Sequence, residues 1–322
     1  MSDKKAKPVA FLFPGQGAQV VGMGADIAKA YPAAAEVFEK ANGVLGFDLR
    51  KICFEGPAEQ LNATAISQPA IFTTSAAILE VLRTTSKLQP DVTAGLSLGE
   101  YTALYAAGVI GFEDALILVR KRGQAMQEAA DATEGSMVSI IGLDEEKVRA
   151  LCAEAGEGEL LVPACREFVE PVNFNCPGQI VISGSKTACE RAEKLAAKYG
   201  AMKALRLEVA GAFHTEMMAS AAEILAEALS KCKIAEPGDV KVIANIDAGY
   251  YASAEKIAQG LVKQLTSAIL WQKCMERLIA DGVEQFYEIG PGRVLTGLMK
   301  RINRKANIIN ISSLETISNL SP

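Results

Sequence analysis

The sequence predicts an α/β protein in which a parallel sheet carries helices on both faces. Continuous apolar runs, typical of strands buried on both sides, alternate along the chain with amphipathic segments of helical periodicity. Half of the 322 residues are hydrophobic, which is enough for a sizeable core. From Thr133 to Val209 the order changes to strand, helix, strand, strand, helix, strand, as in a ferredoxin-like unit. The sequence therefore predicts a large α/β domain, residues 1–132 and 210–322, and an inserted ferredoxin-like α+β subdomain, residues 133–209.

The first part of the large domain begins with a buried strand and continues mostly as helix. Val9–Phe13 is an uninterrupted apolar run that ends at the turn formed by residues 14–17. Its predicted elements are a strand at 9–13, a helix from Pro32 to about residue 46, a helix from Pro69 with Ser67 as N-cap, a short strand at 93–95, and helices at 98–107 and 112–130.

The inserted subdomain and the second part of the large domain continue this alternation. In the subdomain we expect strands at 137–141, 172–175, 179–183 and 202–209, with helices at 144–155 and 186–198. The large domain then resumes with helices at 215–232, 254–265, 269–281 and 293–305 and strands at 240–246, 285–289 and 307–311. Repeated alternation of strand and helix favours a parallel sheet.

Composition excludes several classes of function. The net charge of −5 and the pI of about 5.3 argue against a dedicated nucleic-acid-binding protein. Seven cysteines without a C-x-x-C pair, together with a single histidine, give no zinc site and are typical of reduced thiols in the cytoplasm. Residues 1–8 are polar and lysine-rich, and there is no run of 18 apolar residues. We therefore expect a cytoplasmic protein that binds neither nucleic acid nor membrane.

The clearest chemical signal is a G-x-S-x-G motif centred on Ser97. Gly95 and Gly99 lack Cβ atoms, so a strand and a following helix can approach closely around a strained turn that exposes the serine hydroxyl. The N-terminus of that helix would direct free N–H groups at the same place, which suits an anionic oxygen. The motif favours acyl transfer by a nucleophilic serine. The alternative at this point is an ordinary tight turn.

A serine nucleophile needs a base, and His214 is the one histidine in the chain. Lone histidines are often structural, but His214 follows an apolar, strand-like run and precedes an alanine-rich helix, and such strand ends carry the chemistry of α/β folds. The glycine-rich turn at Gly15 fails as a dinucleotide or P-loop motif, because Val20 replaces the third glycine and no lysine follows. It remains a turn whose backbone N–H groups could face a site.

Six motifs in register resemble those of malonyl-CoA:acyl carrier protein transacylases of type II fatty acid synthesis, over nearly the whole chain. They are Phe13-Pro14-Gly15-Gln16-Gly17-Ala18-Gln19, Gly95-Leu96-Ser97-Leu98-Gly99-Glu100-Tyr101, Arg122-Gly123, Val172-Asn173-Phe174-Asn175-Cys176-Pro177-Gly178-Gln179, Gly211-Ala212-Phe213-His214 and Glu288-Ile289-Gly290-Pro291-Gly292. The resemblance implies a hydrolase-like α/β domain with an inserted ferredoxin-like subdomain, and ping-pong transfer of malonyl from malonyl-CoA to the phosphopantetheine thiol of acyl carrier protein.

The resemblance also implies a role for each matched residue. Ser97 corresponds to the acylated nucleophile and His214 to its general base. Arg122 corresponds to the arginine that binds the malonyl carboxylate. The remaining matches are the backbone N–H groups of Gln16 and Leu98 as the oxyanion hole, the main-chain carbonyl of Gln264 that orients the imidazole, Asn173 near the site, and Phe213, which in related polyketide acyltransferase domains accompanies malonyl selection. No metal or redox cofactor is implied. Because Arg122 adjoins the apolar stripe of its helix, at least one of Arg120, Lys121 and Arg122 could lie at the edge of that stripe.

Other functions remain open at this stage. The same serine and histidine could serve a thioesterase or hydrolase, the carrier could belong to polyketide synthesis, and a non-catalytic carrier-docking module is a third alternative. Leu96 stands where many members of the family have histidine, and the segment from Gly158 to Glu170 is longer than usual, with no function that we can assign. Basic residues of the 293–305 helix could steer an acidic carrier protein. We expect a monomer.

Overall fold

Two sheets organise the chain in the computed structural model, which describes residues 7–157 and 167–320. The strands are β1 Val9–Phe13, β2 Val92–Gly95, β3 Gly135–Ile141, β4 Val169–Cys176, β5 Gln179–Ser185, β6 Lys203–Arg206, β7 Lys241–Val242, β8 Gln285–Ile289 and β9 Asn307–Ile311. The helices are α1 Ala25–Ala30, α2 Pro32–Leu45, α3 Leu49–Glu55, α4 Ala58–Asn62, α5 Thr64–Thr85, α6 Gly99–Ala106, α7 Phe112–Asp131, α8 Glu145–Gly156, α9 Lys186–Leu195, α10 Ala219–Ser230, α11 Ala254–Gln264, α12 Trp271–Ala280, α13 Val294–Ile302 and α14 Leu314–Ser318, and Glu216–Met218 is a 3₁₀ turn.

The larger sheet is parallel throughout and has the order β7-β2-β1-β8-β9. The central strand β1 is apolar and almost wholly buried, as a strand covered on both faces must be. Phe13 is paired with Gly95, so β1 and β2 end at the same level. The turn after β1 and the G-x-S-x-G turn after β2 therefore emerge side by side at the carboxyl edge of the sheet, where open α/β sheets bind ligands.

The smaller sheet is antiparallel, with the order β4-β5-β3-β6, and all of its strands come from residues 135–206. Helices α8 and α9 pack on it around a separate apolar core. In chain order within this unit the strands lie 2-3-1-4, which is the ferredoxin-like arrangement. The mixed α/β fold class predicted from the sequence is confirmed, whereas the exact boundaries at residues 133 and 209 stay a prediction.

Helix α5 is the central helix of the large domain. By length and composition it could cross a membrane, but 83% of its most apolar window is buried inside the protein, as in a core helix. The predicted start at Pro69 with Ser67 as N-cap is wrong, because the helix begins at Thr64 and Ser67 is buried within it. The first four N–H groups of a helix have no intrahelical partner, and Pro69 lies just after them. Its missing N–H therefore removes only a single hydrogen bond from the helix.

Several predicted elements are shorter than expected. Strand β6 ends at Arg206, and residues 207–209 turn to line a cavity. Strand β7 stops at Val242, because the chain turns back and the N–H of Ala244 bonds to the carbonyl of Gly249. The predicted 269–281 helix starts at Trp271, since the N–H of Ile269 bonds to Val172 in the subdomain instead. The short helices α1, α3, α4 and α14 were not predicted at all.

Two further expectations concern cysteines and the segment before β4. Six of the seven cysteines lie in the described part of the chain, where all six are free thiols, five of them buried and Cys232 half-buried. Cys165 and residues 158–166 of the unusually long segment lie outside the described residues.

Candidate active site

The turn after β2 holds Ser97 in a strained conformation. Its φ is 52°, a value that residues with a Cβ rarely adopt. A Cβ on Gly95 would lie 1.8 Å from the carbonyl carbon of Gly99, and one on Gly99 would lie 2.1 Å from the carbonyl oxygen of Phe13. Both glycines are therefore required for α6 to pack against β1 and β2. The fixed spacing of the two glycines around Ser97 therefore has a steric cause.

Asn245, just beyond β7, holds the strained turn in place. Its Oδ1 accepts a 2.7 Å hydrogen bond from the backbone N–H of Ser97, and its Nδ2 donates at 2.8 Å to the carbonyl of Gly95. The side chain is completely buried. Sequence reasoning missed Asn245, since a lone asparagine after a short strand carries no motif.

Ser97 and His214 form a hydrogen-bonded pair. The Oγ of Ser97 lies 2.9 Å from Nε2 of His214, and Nδ1 lies 2.8 Å from the main-chain carbonyl of Gln264. Because a carbonyl oxygen only accepts, Nδ1 carries the proton and Nε2 is left to accept the serine proton. Burial, and then the positive charge of Arg122, lower the pKa of His214 to about 3. The imidazole is therefore neutral at physiological pH, as a general base must be.

Arg122 lies beside this pair and is 1% exposed. Its Nη1 donates to Oε1 of Gln68 at 2.8 Å, and its Nη2 donates to Oγ of Ser97 and to Oε1 of Gln264, both at 3.0 Å. Of the three cations expected near the helix stripe, Lys121 is exposed, Arg120 is half-buried and Arg122 is buried. The guanidinium is fully inside because three polar side chains from other parts of the chain receive it, which helical periodicity cannot reveal.

The partners of Arg122 are neutral oxygens, so its positive charge is not cancelled by direct contact. The guanidinium also lies 5.6 Å from the centroid of the Tyr101 ring. Its Nε is buried and makes no hydrogen bond to the described residues. Burial lowers the pKa of Arg122, and an arginine still keeps its charge in such surroundings. The geometry suits an incoming anionic group.

A cavity of about 380 Å³ opens onto Ser97, His214 and Arg122. Its walls include the predicted residues Gln16, Asn173 and Phe213. Phe213 is 5% exposed and precedes His214 directly. The Oδ1 of Asn173 is buried and has no hydrogen-bond partner among residues 7–157 and 167–320. The structure thus brings together side chains from both domains around one small space, of a size that suits a short acyl group.

Gln16 lines the same cavity, and Leu98 adjoins Ser97 in the chain. Leu98 follows Ser97 at the start of α6, and Gln16 belongs to the turn after β1. This turn contacts the serine turn so closely that a Cβ on Gly15 would lie 2.3 Å from the carbonyl oxygen of Leu96. Neither N–H donates to any acceptor in the described part of the protein. Two free donors beside a serine nucleophile can stabilise a developing oxyanion.

Glu100 is a buried carboxylate that sequence reasoning named only as part of a motif. Its Oε2 accepts from the N–H of Asn245 at 3.1 Å and from Nε2 of Gln264 at 2.8 Å, and its Oε1 accepts from the hydroxyl of Tyr251. Burial raises the pKa of Glu100 to about 7, against the opposing effect of these three hydrogen bonds. A glutamate inside an otherwise apolar helix, Gly99–Ala106, was the signal that could have identified it.

Two other features of the described residues concern metal ions and the carrier protein. Within residues 7–157 and 167–320, no three His, Cys, Asp or Glu side chains are grouped to hold a metal ion. In the basic 293–305 segment, Lys300 donates to the carbonyl of Ala306, and Arg301 donates to Gln179 and to the carbonyl of Pro177 in the subdomain. Both side chains are exposed and their acceptors are neutral oxygens, so the two positive charges are not cancelled and steering of a carrier stays a prediction.

Comparison with known proteins gives one consistent family. The family model described as "Acyl transferase domain" matches residues 10–320. The malonyl CoA-acyl carrier protein transacylase of Bacillus subtilis is 46% identical over 309 residues, which cover 96% of this chain and 95% of that protein. The transacylase of the same name from Escherichia coli K12 is 46% identical over 293 residues, covering 91% and 92%.

Comparison with solved structures leads to the same family. An acyl carrier protein S-malonyltransferase from Vibrio cholerae superposes with a TM-score of 0.91 at 43% identity, covering 97% of this chain and 99% of that one. A malonyl-transacylase solved in complex with a type II polyketide synthase acyl-carrier protein also gives a TM-score of 0.91, at 42% identity, covering 97% and 98%.

Proposed function

The chain belongs to the acyl transferase domain family, and we propose that Ser97 and His214 perform in it the transfer of a malonyl group from malonyl-CoA to acyl carrier protein. The activity itself, that of a malonyl-CoA:acyl carrier protein acyltransferase, follows from close relatives that cover almost the whole chain. The observation that carries the assignment of residues is the buried arginine 3.0 Å from the serine oxygen. A cation at that place favours an acyl group that brings its own carboxylate.

In the first half-reaction, Ser97 is acylated. His214 Nε2 takes the serine proton while Oγ bonds to the thioester carbon, and the carbonyl oxygen becomes an anion that accepts from the N–H groups of Gln16 and Leu98. The intermediate collapses as the carbon–sulfur bond breaks, and the imidazolium gives its proton to the CoA thiolate. The carbonyl of Gln264 keeps the imidazole in the required tautomer throughout. Malonyl is left esterified to Ser97.

In the second half-reaction, the phosphopantetheine thiol of the carrier follows the same route in reverse. His214 removes the thiol proton, sulfur attacks the ester carbon, and the proton returns to Oγ of Ser97 as the ester bond breaks. Arg122 binds the malonyl carboxylate in both halves, which fixes the reacting carbonyl against the nucleophile. These steps use no resident metal or redox cofactor, and we propose that none is required.

The partners proposed for this chain are malonyl-CoA and an acyl carrier protein of fatty acid synthesis. Relatives are named for acyl carrier protein, and one was solved with a polyketide carrier, so assays with carriers of both kinds will decide which is preferred. We propose further that the enzyme works as a cytoplasmic monomer, since one chain supplies the serine, the histidine, the arginine and the orienting carbonyl. Light scattering of the purified enzyme tests the monomer.

The experiment is incubation with labelled malonyl-CoA, with and without holo acyl carrier protein, followed by intact-protein mass spectrometry. Wild type should gain one malonyl adduct and pass it to the carrier. Ser97→Ala should gain none, and His214→Ala should form it orders of magnitude more slowly, because the pair acts as a unit. Ser230→Ala, an exposed serine at the end of α10, is the matched control and should behave as wild type. Free malonate without carrier labelling would indicate a hydrolase, and a persistent adduct in Ser97→Ala would refute the nucleophile.

A further inference from the structure

The charge distribution behind the catalytic pair is unusual for a buried arginine. Arg122 donates to Ser97 and to two neutral amides, those of Gln68 and Gln264, and no carboxylate within residues 7–157 and 167–320 is among its hydrogen-bond partners. A carboxylate is nevertheless close, because the other end of the Gln264 amide donates to Glu100 at 2.8 Å. Cation and anion are thus separated by a single amide group. Buried arginines are normally paired directly, so the intervening amide requires an explanation.

The Gln264 amide can adopt only one orientation between these two charges. A guanidinium only donates and a carboxylate only accepts, so the amide oxygen must face Arg122 and the amide nitrogen must face Glu100. The main-chain carbonyl of the same Gln264 holds His214. Glu100 itself is fixed by the N–H of Asn245 and the hydroxyl of Tyr251. The carboxylate thereby fixes a residue that contacts both the base and the acyl-binding cation.

We propose that Glu100 is a positioning residue whose negative charge, held one amide away from Arg122, balances that cation near His214 without occupying the face that binds the acyl carboxylate. This inference rests on the proposed function, because it concerns how that site discriminates between acyl groups. A carboxylate in direct contact with Arg122 would compete with the substrate for the guanidinium. A site with no carboxylate would leave an unbalanced cation beside the imidazolium that forms during each proton transfer.

The two kinds of acyl group should respond differently to this charge. Malonyl brings its own carboxylate to Arg122, so the cation is balanced during the reaction whether or not Glu100 is charged. Acetyl brings none, and then Glu100 is the nearby negative charge that offsets Arg122 while His214 becomes protonated. Removing the charge of Glu100 should therefore slow acetyl transfer more than malonyl transfer. Adding a negative charge in contact with Arg122 should slow malonyl transfer more than acetyl transfer.

Two isosteric substitutions provide the test. Glu100→Gln removes the charge, and its new amide group can donate to the hydroxyl oxygen of Tyr251 while its oxygen still accepts from Asn245 and Gln264. Gln68→Glu adds a charge at the oxygen that already accepts from Nη1 of Arg122. Glu223→Gln, the same substitution at an exposed position of α10 outside the site, is the matched control. Specificity constants for malonyl-CoA and acetyl-CoA are measured at pH 8, above the pKa of Glu100 of about 7.

The expected result is a pair of opposite shifts in the ratio of kcat/KM for malonyl-CoA to that for acetyl-CoA. The ratio should rise about tenfold or more in Glu100→Gln and fall further in Gln68→Glu, because the added charge lies in direct contact with Arg122 and the Coulomb energy weakens with distance. It should stay near wild type in Glu223→Gln. In Glu100→Gln the KM for malonyl-CoA should not rise, whereas a merely loosened Arg122 would raise it.

The outcomes separate this inference from the function on which it rests. If wild type formed no malonyl carrier, the proposed function would be wrong. If wild type transferred malonyl normally but the ratio moved in the same direction in both variants, or did not move, the charge role of Glu100 would be overturned and general loosening of the site would explain any loss. If Glu100→Gln failed to fold, Gln68→Glu would still test the premise, because an unchanged ratio there would show that negative charge near Arg122 does not set the acyl preference.

Discussion

Replacing Arg122 by methionine tests the central feature of the site. Methionine preserves most of the length and packing of the side chain but removes the charge and all five N–H donors. A malonyl carboxylate entering the variant would lose its hydration and find no cation. Removing one partner of a buried charge pair costs about 3–5 kcal/mol, so kcat/KM for malonyl-CoA should fall by about 10² to 10⁴.

The same substitution also affects the protein without substrate, and the assay must separate the two effects. Oε1 of Gln68 and Oε1 of Gln264 would each lose a donor, at a cost to folding of about 1–3 kcal/mol per buried acceptor. Ser97 would lose the hydrogen bond from Nη2. Any loss of nucleophilicity affects every acyl group equally, so the ratio of kcat/KM values for malonyl-CoA and acetyl-CoA isolates the carboxylate interaction. We expect that ratio to fall steeply, while acetyl transfer holds or improves.

A control lies two residues away on the same helix. Arg120 donates to the carbonyl of Leu45 and lies 5.0 Å from the Phe47 ring centroid, and it is not part of the cavity wall. Arg120→Met should leave the ratio unchanged, and circular dichroism should show both variants folded. If folded Arg122→Met kept the malonyl preference of wild type, the assignment of Arg122 as the carboxylate-binding residue would be wrong even with Ser97 and His214 intact.

Three further predictions follow from the geometry of the site. In wild type we expect kcat/KM for malonyl-CoA to exceed that for methylmalonyl-CoA by about 10- to 200-fold, because one methyl group is worth only about 1–3 kcal/mol. Phe213→Ser should reduce this difference. Equal specificity constants for the two substrates in wild type would contradict the prediction. Burial and Arg122 lower the pKa of His214 to about 3, so its base form is lost only as pH falls through that value. Stopped-flow malonylation should therefore show no histidine midpoint near pH 6.5. A midpoint near pH 6.5 that persists in Glu100→Gln, which has no titrating group at position 100, would refute the reasoning. Asn245→Ala should lower the free energy of unfolding by about 1–3 kcal/mol and slow acylation, because the N–H of Ser97 and the carbonyl of Gly95 lose their partner. Thermal melts and burst kinetics that match wild type would show that the strained turn is stable without Asn245.

Local sequence was sufficient where the constraint is itself local. The apolar strand at Val9–Phe13 and the glycines on either side of Ser97 could be predicted because burial on two faces and close backbone approach each demand particular residues at fixed spacing. His214 could be named because it is the one histidine in the chain. The roles of Gln16, Leu98, Asn173 and Gln264 came from resemblance to a family, since a backbone N–H or carbonyl leaves no mark in composition or periodicity.

Tertiary structure alone decided how the charges are arranged. Helical periodicity could not say which of three cations on α7 is buried, because the partners of Arg122, Gln68 and Gln264, lie 54 and 142 residues away along the chain. The glutamate at position 100 is separated from the N–H of Asn245 by 145 residues. Such contacts form only when β2, α5, α7 and α11 are packed together. Ser97 and His214 were readable from the sequence, but whether a buried charge meets an amide or a carboxylate depends on that packing.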